Sequence, residues 1–194
     1  MSGGSSPPRS APRRRRALLL ASVVLVSTGL FSADPEFFFR GNPFAGFGAL
    51  QGSGAIQGVP APDFCITDID GASFCLSEFR GRPVVIDFMA TWCVACEDQA
   101  VELREVHQRY GDKVVFLSID VDLAESPAEL RGFREYVRAP WRFVTDTPTT
   151  RVGLKYETRY LPSLYVVDKE GFIAWHEKGI TDSASLIQLL RGMV

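Results

Sequence analysis

The chain has 194 residues, 46% hydrophobic and 23% charged, which is enough for one domain with a real core and too little for two comfortable ones. Its net charge of -2 is unevenly divided: residues 1–40 carry six arginines against two acids, whereas residues 41–194 carry 15 Lys/Arg against 21 Asp/Glu, or -6. The basic part is a terminal tag on an acidic domain, which argues against a nucleic-acid-binding face.

Residues 1–16 form a basic tail that ends in Arg13-Arg14-Arg15-Arg16. Residues 17–33 are uncharged and mostly apolar. Basic-then-apolar order marks a membrane-targeting segment, either a transmembrane anchor or a signal peptide. Arginines before such a segment hold the N-terminus in the cytoplasm, so the remainder of the chain is exported. Residues 34–59 read as a linker, rich in Gly, Ala, Pro and Phe and without periodicity.

The domain is expected over residues 60–194. Two short strand patterns, around Cys65 and Cys75, flank Asp70-Gly71, a strong hairpin signal. Cys65 and Cys75 then project on one face of the hairpin, and a structural disulfide is expected. Two free buried thiols or a second redox pair remain the alternatives. An even cysteine count fits a disulfide-permissive compartment.

Val84 to Met89 is too apolar for an edge strand and belongs in a sheet covered on both faces. Asp87 is the odd member. A buried acid there has a raised pKa and can exchange a proton with a nearby thiol; otherwise it points to a surface or caps a turn. The strand runs into Ala90-Thr91-Trp92-Cys93-Val94-Ala95-Cys96, and a helical pattern runs from Val94 to Tyr110. Cys93 thus falls at a helix N-terminus, where unpaired N–H groups and the dipole favour a thiolate. Cys96 is one turn on, on the same face, close enough to close a disulfide with it. Two cysteines in this place point to redox chemistry at a dithiol, with no cofactor and no metal called for. His107 is expected at the helix surface or core edge.

Val114 to Asp120 is a second central strand. Ser126-Pro127-Ala128-Glu129 starts a helix running to about Arg138: Ser as N-cap, Pro at the first position, an acid in the first turn. Trp141 to Val144 is a short strand and Thr149 to Tyr156 a short helix. Ser163 to Asp168 and Phe172 to His176 form a hairpin, with His176 expected half-exposed, and Asp182 to Arg191 closes the chain as a helix. Strand–helix alternation makes the class α/β.

Together these residues resemble the thioredoxin superfamily and, within it, the membrane-anchored TlpA/ResA-type thiol–disulfide oxidoreductases. The resemblance is carried by Pro60-Ala61-Pro62-Asp63-Phe64 and its hairpin, by Phe88 to Cys96, by Tyr160-Leu161-Pro162-Ser163, by Leu164 to Gly171, and by the insertion around residues 123–140. It implies a thioredoxin-like fold: a central mixed β-sheet flanked by helices, with an N-terminal β-hairpin and a helical insertion. It implies that Cys93 is the exposed attacking thiol and Cys96 the resolving one, with Asp87 assisting. Pro162 would be cis, Leu161 would offer backbone to the substrate chain, and Trp92 would present an apolar face. The partners implied are disulfide-containing exported proteins and a membrane-embedded electron donor, with the membrane itself engaged through residues 17–33. Gln99 and Ala100 depart from the pattern, standing where ResA-like chains tend to carry an acid and a proline.

The same residues are open to three other activities. A thiol oxidase or isomerase differs only in potential. Copper carriers of this fold use CxxxC and a distant His, and the spacing here is CxxC. Peroxiredoxins place a Thr three residues before the reactive Cys, a position held here by Ala90.

Overall fold

The strand leading into the cysteine motif is the middle of the molecule. In the computed structural model, which describes residues 57–194, β3 (Val84–Met89) is buried at every position. It is the centre of a five-stranded mixed sheet with β4 (Val115–Asp120), β5 (Arg142–Thr145), β6 (Ser163–Val167) and β7 (Ile173–Lys178), in the order β5-β4-β3-β6-β7. The pairs β3–β4 and β4–β5 are parallel, and β3–β6 and β6–β7 antiparallel. Val-Val-Ile has no polar side to give to water, so the strand is stable only where neighbours and layers cover it. Two expected features, the tail with its apolar segment (residues 1–33) and most of the linker (residues 34–59), lie outside the described residues. Among the described residues no helix is long and apolar enough to cross a membrane.

Each face of the sheet has its own core, divided by the period-2 alternation of the strands. Val85 and Met89 face α1 (Val94–Tyr110), α2 (Pro127–Tyr136) and α4 (Ser183–Arg191), through Ala100, Leu103, Val106, Leu130, Phe133 and Leu186. Val84, Ile86 and Phe88 face the other way, toward α3 (Val152–Lys155) and an N-terminal hairpin of β1 (Cys65–Thr67) and β2 (Ser73–Cys75). Ile66, Phe74 and Leu76 bring that hairpin into the second core.

Local chemistry sets most boundaries. Gly71 turns β1 into β2 at φ +92°, a conformation open to glycine at little cost. Ser126 and Glu129 form a reciprocal capping box at the start of α2, with Pro127 in the first turn. Asp182 caps α4 through the Ser185 N–H at 2.9 Å.

Four details depart from expectation. Helix α2 ends at Tyr136 rather than near Arg138, because Arg138 takes a left-handed φ of +54°. Helix α3 spans only Val152–Lys155. Residues 147–150 instead form a turn around Asp146, whose Oδ1 accepts the Thr147, Val152 and Thr150 donors at 2.7–2.9 Å. A 3-10 turn follows β2 at Leu76–Phe79. His176 is 4% exposed and not half-exposed: it pairs with Tyr165 across β6–β7, and the two rings stack at 4.0 Å. His107, by contrast, sits at the core edge, its ring 5.1 Å from Phe116 and 5.7 Å from Trp141.

Leu103 is 1% exposed between α1 and the sheet. Leu103→Ala is expected to cost about 3 kcal/mol of stability, since lost transfer and residual cavity add at such a site; urea denaturation of the variant against the parent measures it.

Candidate active site

The Cys93-containing turn joins β3 to α1. Cys93 is the N-cap of α1, still extended at φ -85°, ψ 101°, and its carbonyl accepts the N–H groups of Cys96 at 2.9 Å and Glu97 at 3.3 Å. Cys96 lies one turn inside the helix, and the two cysteines are bonded, with Cα atoms 5.2 Å apart. Both are buried, Cys93 at 7% and Cys96 at 1% exposure. Cys93 is therefore the more open of the two but, bonded to Cys96, not an exposed residue. The open surface belongs to its neighbours, Trp92 at 65% and Val94 at 72%.

Strand register places a loop on each side of this turn. On the antiparallel side Phe88 pairs with Ser163, so Pro162 and Leu161 continue alongside Met89 and Ala90. The Leu161–Pro162 peptide is cis, and Pro162 is buried. Its carbonyl accepts the Gly179 N–H at 2.8 Å, and the Ser163 hydroxyl donates to the Tyr160 carbonyl at 2.7 Å. Leu161 packs on the cores of both faces.

On the parallel side Met89 pairs with Asp120, and the chain that follows β4 runs beside the turn. It grips the turn with carboxylates. Glu125 accepts the Thr91 N–H at 2.9 Å through one oxygen and the Thr91 hydroxyl through the other. Asp122 accepts the indole N–H of Trp92 at 2.8 Å. Trp92 is thus held by its polar edge while most of its surface faces solvent. Asp120 is fully buried: its Oδ1 takes the Asp122 N–H at 3.0 Å and its Oδ2 has no partner among the described residues. Burial raises its pKa, and the charges of Glu125 and Asp122 add to the rise. No motif or periodicity marks these three acids in the sequence.

Asp87 lies on the α1 side of β3 by alternation with Val85 and Met89, the layer that contains Cys93 and Cys96. It is 3% exposed. Its Oδ2 accepts the Ser118 hydroxyl at 3.0 Å from the adjacent strand, and Ser118 in turn accepts the Trp141 indole N–H at 2.9 Å. Its Oδ1 has no partner among the described residues. Burial pushes its pKa up to about 7, against the smaller downward pull of the Ser118 hydrogen bond.

Gln99, also buried, joins α1 to the segment before α4: its Oε1 accepts the Thr181 N–H at 2.7 Å and its Nε2 donates to the Thr181 carbonyl at 3.2 Å. The second cysteine pair is apart from all this. Cys65 and Cys75 face each other across β1–β2 and are bonded, with Cα atoms 4.0 Å apart.

The model of the AhpC/TSA family matches residues 57–176. The chain is 29% identical over 115 residues to the thiol-disulfide oxidoreductase ResA of a Bacillus cereus strain, an alignment covering 59% of this chain and 65%, just under two thirds, of that protein's length. It is 26% identical over 121 residues to the thioredoxin-like protein YneN of Bacillus subtilis (strain 168), covering 62% of this chain and 70% of that one. A solved structure of a putative thiol:disulfide interchange protein DsbE from Chlorobium tepidum superposes with a TM-score of 0.63 at 21% identity, covering 72% of this chain and all of the other. It shares the fold.

Because Asp87 has its folded pKa raised from 3.8 to about 7, the folded state favours its protonated form. Its carboxyl costs nothing below pH about 4, the cost grows as pH rises toward about 7, and it is constant above that. Asp87→Asn is therefore expected to be more stable than the parent at pH 8, by up to about 4 kcal/mol, and nearly equal to it at pH 4. Chemical denaturation at the two pH values checks both sign and window.

Proposed function

The chain belongs to the AhpC/TSA family, and on that footing we propose that it is a thiol–disulfide oxidoreductase that reduces disulfides of exported proteins through Cys93 and Cys96. The observation that carries this reading is the bonded pair at the mouth of α1, on the same side of the sheet as a buried carboxyl with a pKa of about 7.

In the reduced enzyme the N-terminus of α1 favours the Cys93 thiolate. The thiolate attacks one sulfur of a substrate disulfide, and the other sulfur leaves with the electron pair and takes a proton. Cys96 then gives its proton to ionised Asp87 and attacks the Cys93 sulfur of the mixed disulfide. The substrate departs as a dithiol, two electrons richer, and Cys93–Cys96 is left oxidised, the state seen in this structure. A carboxyl near pKa 7 suits the step because it can both take and return a proton at neutral pH. Trp92 offers the substrate an apolar face, and the backbone at Leu161, beside the cis peptide, pairs with an extended substrate chain. The acids of the post-β4 loop hold Thr91 and Trp92 in place for this encounter.

Returning the pair to the dithiol takes two electrons and two protons, which a membrane-embedded donor supplies. Residues 17–33 anchor the chain, residues 1–16 stay on the cytoplasmic side, and the linker carries the domain on the exported side. The arginine run before the apolar segment supports that orientation, and two disulfides suit an oxidising compartment. Release after signal cleavage is the alternative, and the size of the chain in isolated membranes distinguishes the two.

Reduction of insulin by the dithiothreitol-primed enzyme tests the activity. Cys93→Ser is expected to lower the rate by on the order of 100-fold or more, while Cys96→Ser accumulates mixed disulfides with partner proteins. If neither variant loses activity, the assignment fails. A Cys93/Cys96 potential of roughly -270 mV supports a reductase, and one of roughly -120 mV would make the pair an oxidant instead.

A further inference from the structure

The two disulfides differ in exposure, and the order is unexpected. Cys93 and Cys96 are both buried, whereas Cys65 is exposed and Cys75 half-buried. The hairpin register is the cause. Cys65 faces Cys75 and Thr67 faces Ser73 on the outer side, while Ile66 faces Phe74 on the inner side, in the core. The outer side is an open depression lined by both cysteines together with Thr67, Ser73 and Glu78. The Thr67 and Ser73 hydroxyls bond to each other at 2.8 Å on that same exposed side, and Ile66 and Phe74 complete the lining.

The hairpin is also held without its disulfide. Phe64, Ile66, Phe74 and Leu76 are packed in the core. The Asp68 carboxylate accepts the Asp70 and Ala72 N–H groups at 3.0 and 2.8 Å, fixing the turn. Ile69 donates its N–H to the Phe143 carbonyl of β5 at 3.0 Å, Arg131 donates to the Ile69 carbonyl at 2.7 Å, and Arg134 pairs with Asp70. None of these contacts uses a cysteine sulfur. These contacts are independent of the S–S bond, so the β1–β2 register that sets Cys65 opposite Cys75 does not rest on it alone.

We propose that Cys65–Cys75 is a second thiol–disulfide exchange site, opened by a dithiol while the domain stays folded. One thiolate of the donor attacks the Sγ of Cys65, the more exposed sulfur. The Cys65–Cys75 bond breaks, and its electron pair leaves on Cys75 Sγ, which takes a proton from water. The donor's second thiol then attacks the donor sulfur in the mixed disulfide, and Cys65 is released and protonated. Two electrons enter the protein and the donor departs as a disulfide. The chain then carries two redox pairs, one at the mouth of α1 and one on the hairpin, and the second does not rest on the activity assigned to the first.

The full-length Cys93→Ser/Cys96→Ser variant isolates the hairpin pair. It is treated without denaturant with millimolar dithiothreitol in one arm and with reduced thioredoxin in the other, then alkylated and weighed, with far-UV circular dichroism recorded throughout. Two alkylated thiols per chain are expected with the spectrum unchanged, and oxidised glutathione should close the bond again. In the parent the same treatment should label four cysteines, twofold more than if Cys93 and Cys96 alone opened. Opening in both arms supports exchange with a protein dithiol; opening by dithiothreitol alone supports a site limited to small dithiols. The proposal is overturned if the hairpin thiols appear only in denaturant, or only as the circular dichroism is lost. Should the double variant misfold, the parent's count of two or four labelled cysteines, mapped by peptide, decides the same question.

Discussion

The site depends on where β3 ends. This strand is central, buried on both faces and bonded on both edges, so its last residues have almost no freedom in position. The turn after it inherits that fixity. Because β3 is paired parallel to β4 and antiparallel to β6, it is flanked by the end of one neighbour and the beginning of the other. One flank is the cis Leu161–Pro162 loop and the other an acidic loop. Sheet register thus does what no local propensity could: it brings segments far apart in the chain, around Asp122 and around Pro162, to the two sides of a pair of cysteines.

The same constraint explains the buried carboxyl. Alternation along a fully covered strand leaves every second side chain in the α1 layer, and Asp87 falls on that beat. An acid there cannot reach water, and a single hydroxyl partner from Ser118 does not match the hydration it has lost. The resulting rise in pKa is a stability cost at neutral pH. Such a cost in an otherwise well-packed layer is the pattern expected where a proton has to be moved. Asp120, the last residue of the next strand, carries a burial cost of the same kind beside Glu125, so two adjacent strands each carry a buried carboxyl whose proton is held more tightly than in water.

Exposure divides the two disulfides by architecture. Cys93–Cys96 lies at a strand–helix junction and is shielded by the helix it starts, leaving Trp92 and Val94 as the outward surface. Cys65–Cys75 lies on the uncovered face of a two-stranded hairpin whose inner face is consumed by the core. A disulfide within one helical turn and one across two short strands are therefore read by solvent very differently, although both link cysteines close in sequence.

Much of this was legible in the residues. The apolar run of β3, the capping residues of α2, the Asp70-Gly71 turn and the CxxC at a helix start are local signals. Each is set by backbone sterics, side-chain capping or a periodic apolar pattern, and so survives without tertiary context. Helix α1 has its expected ends, Val94 and Tyr110, for that reason. What the residues could not say was set by distance in space. His176 in a terminal strand looked half-exposed, and only the stacking of Tyr165 across β6–β7 buries it. No local signal marks Asp122 and Glu125, and the β3–β4 register sets them beside Trp92 and Thr91. Gln99 became a link to Thr181 only once α1 and α4 were side by side. The chain by itself determined where the strands and the three longer helices run and which two cysteines begin the first of them, because those follow from neighbours in sequence. The tertiary structure alone decided which acids hold the turn, which carboxyl loses its water and which disulfide faces solvent, because burial and hydrogen-bond partners are properties of packing.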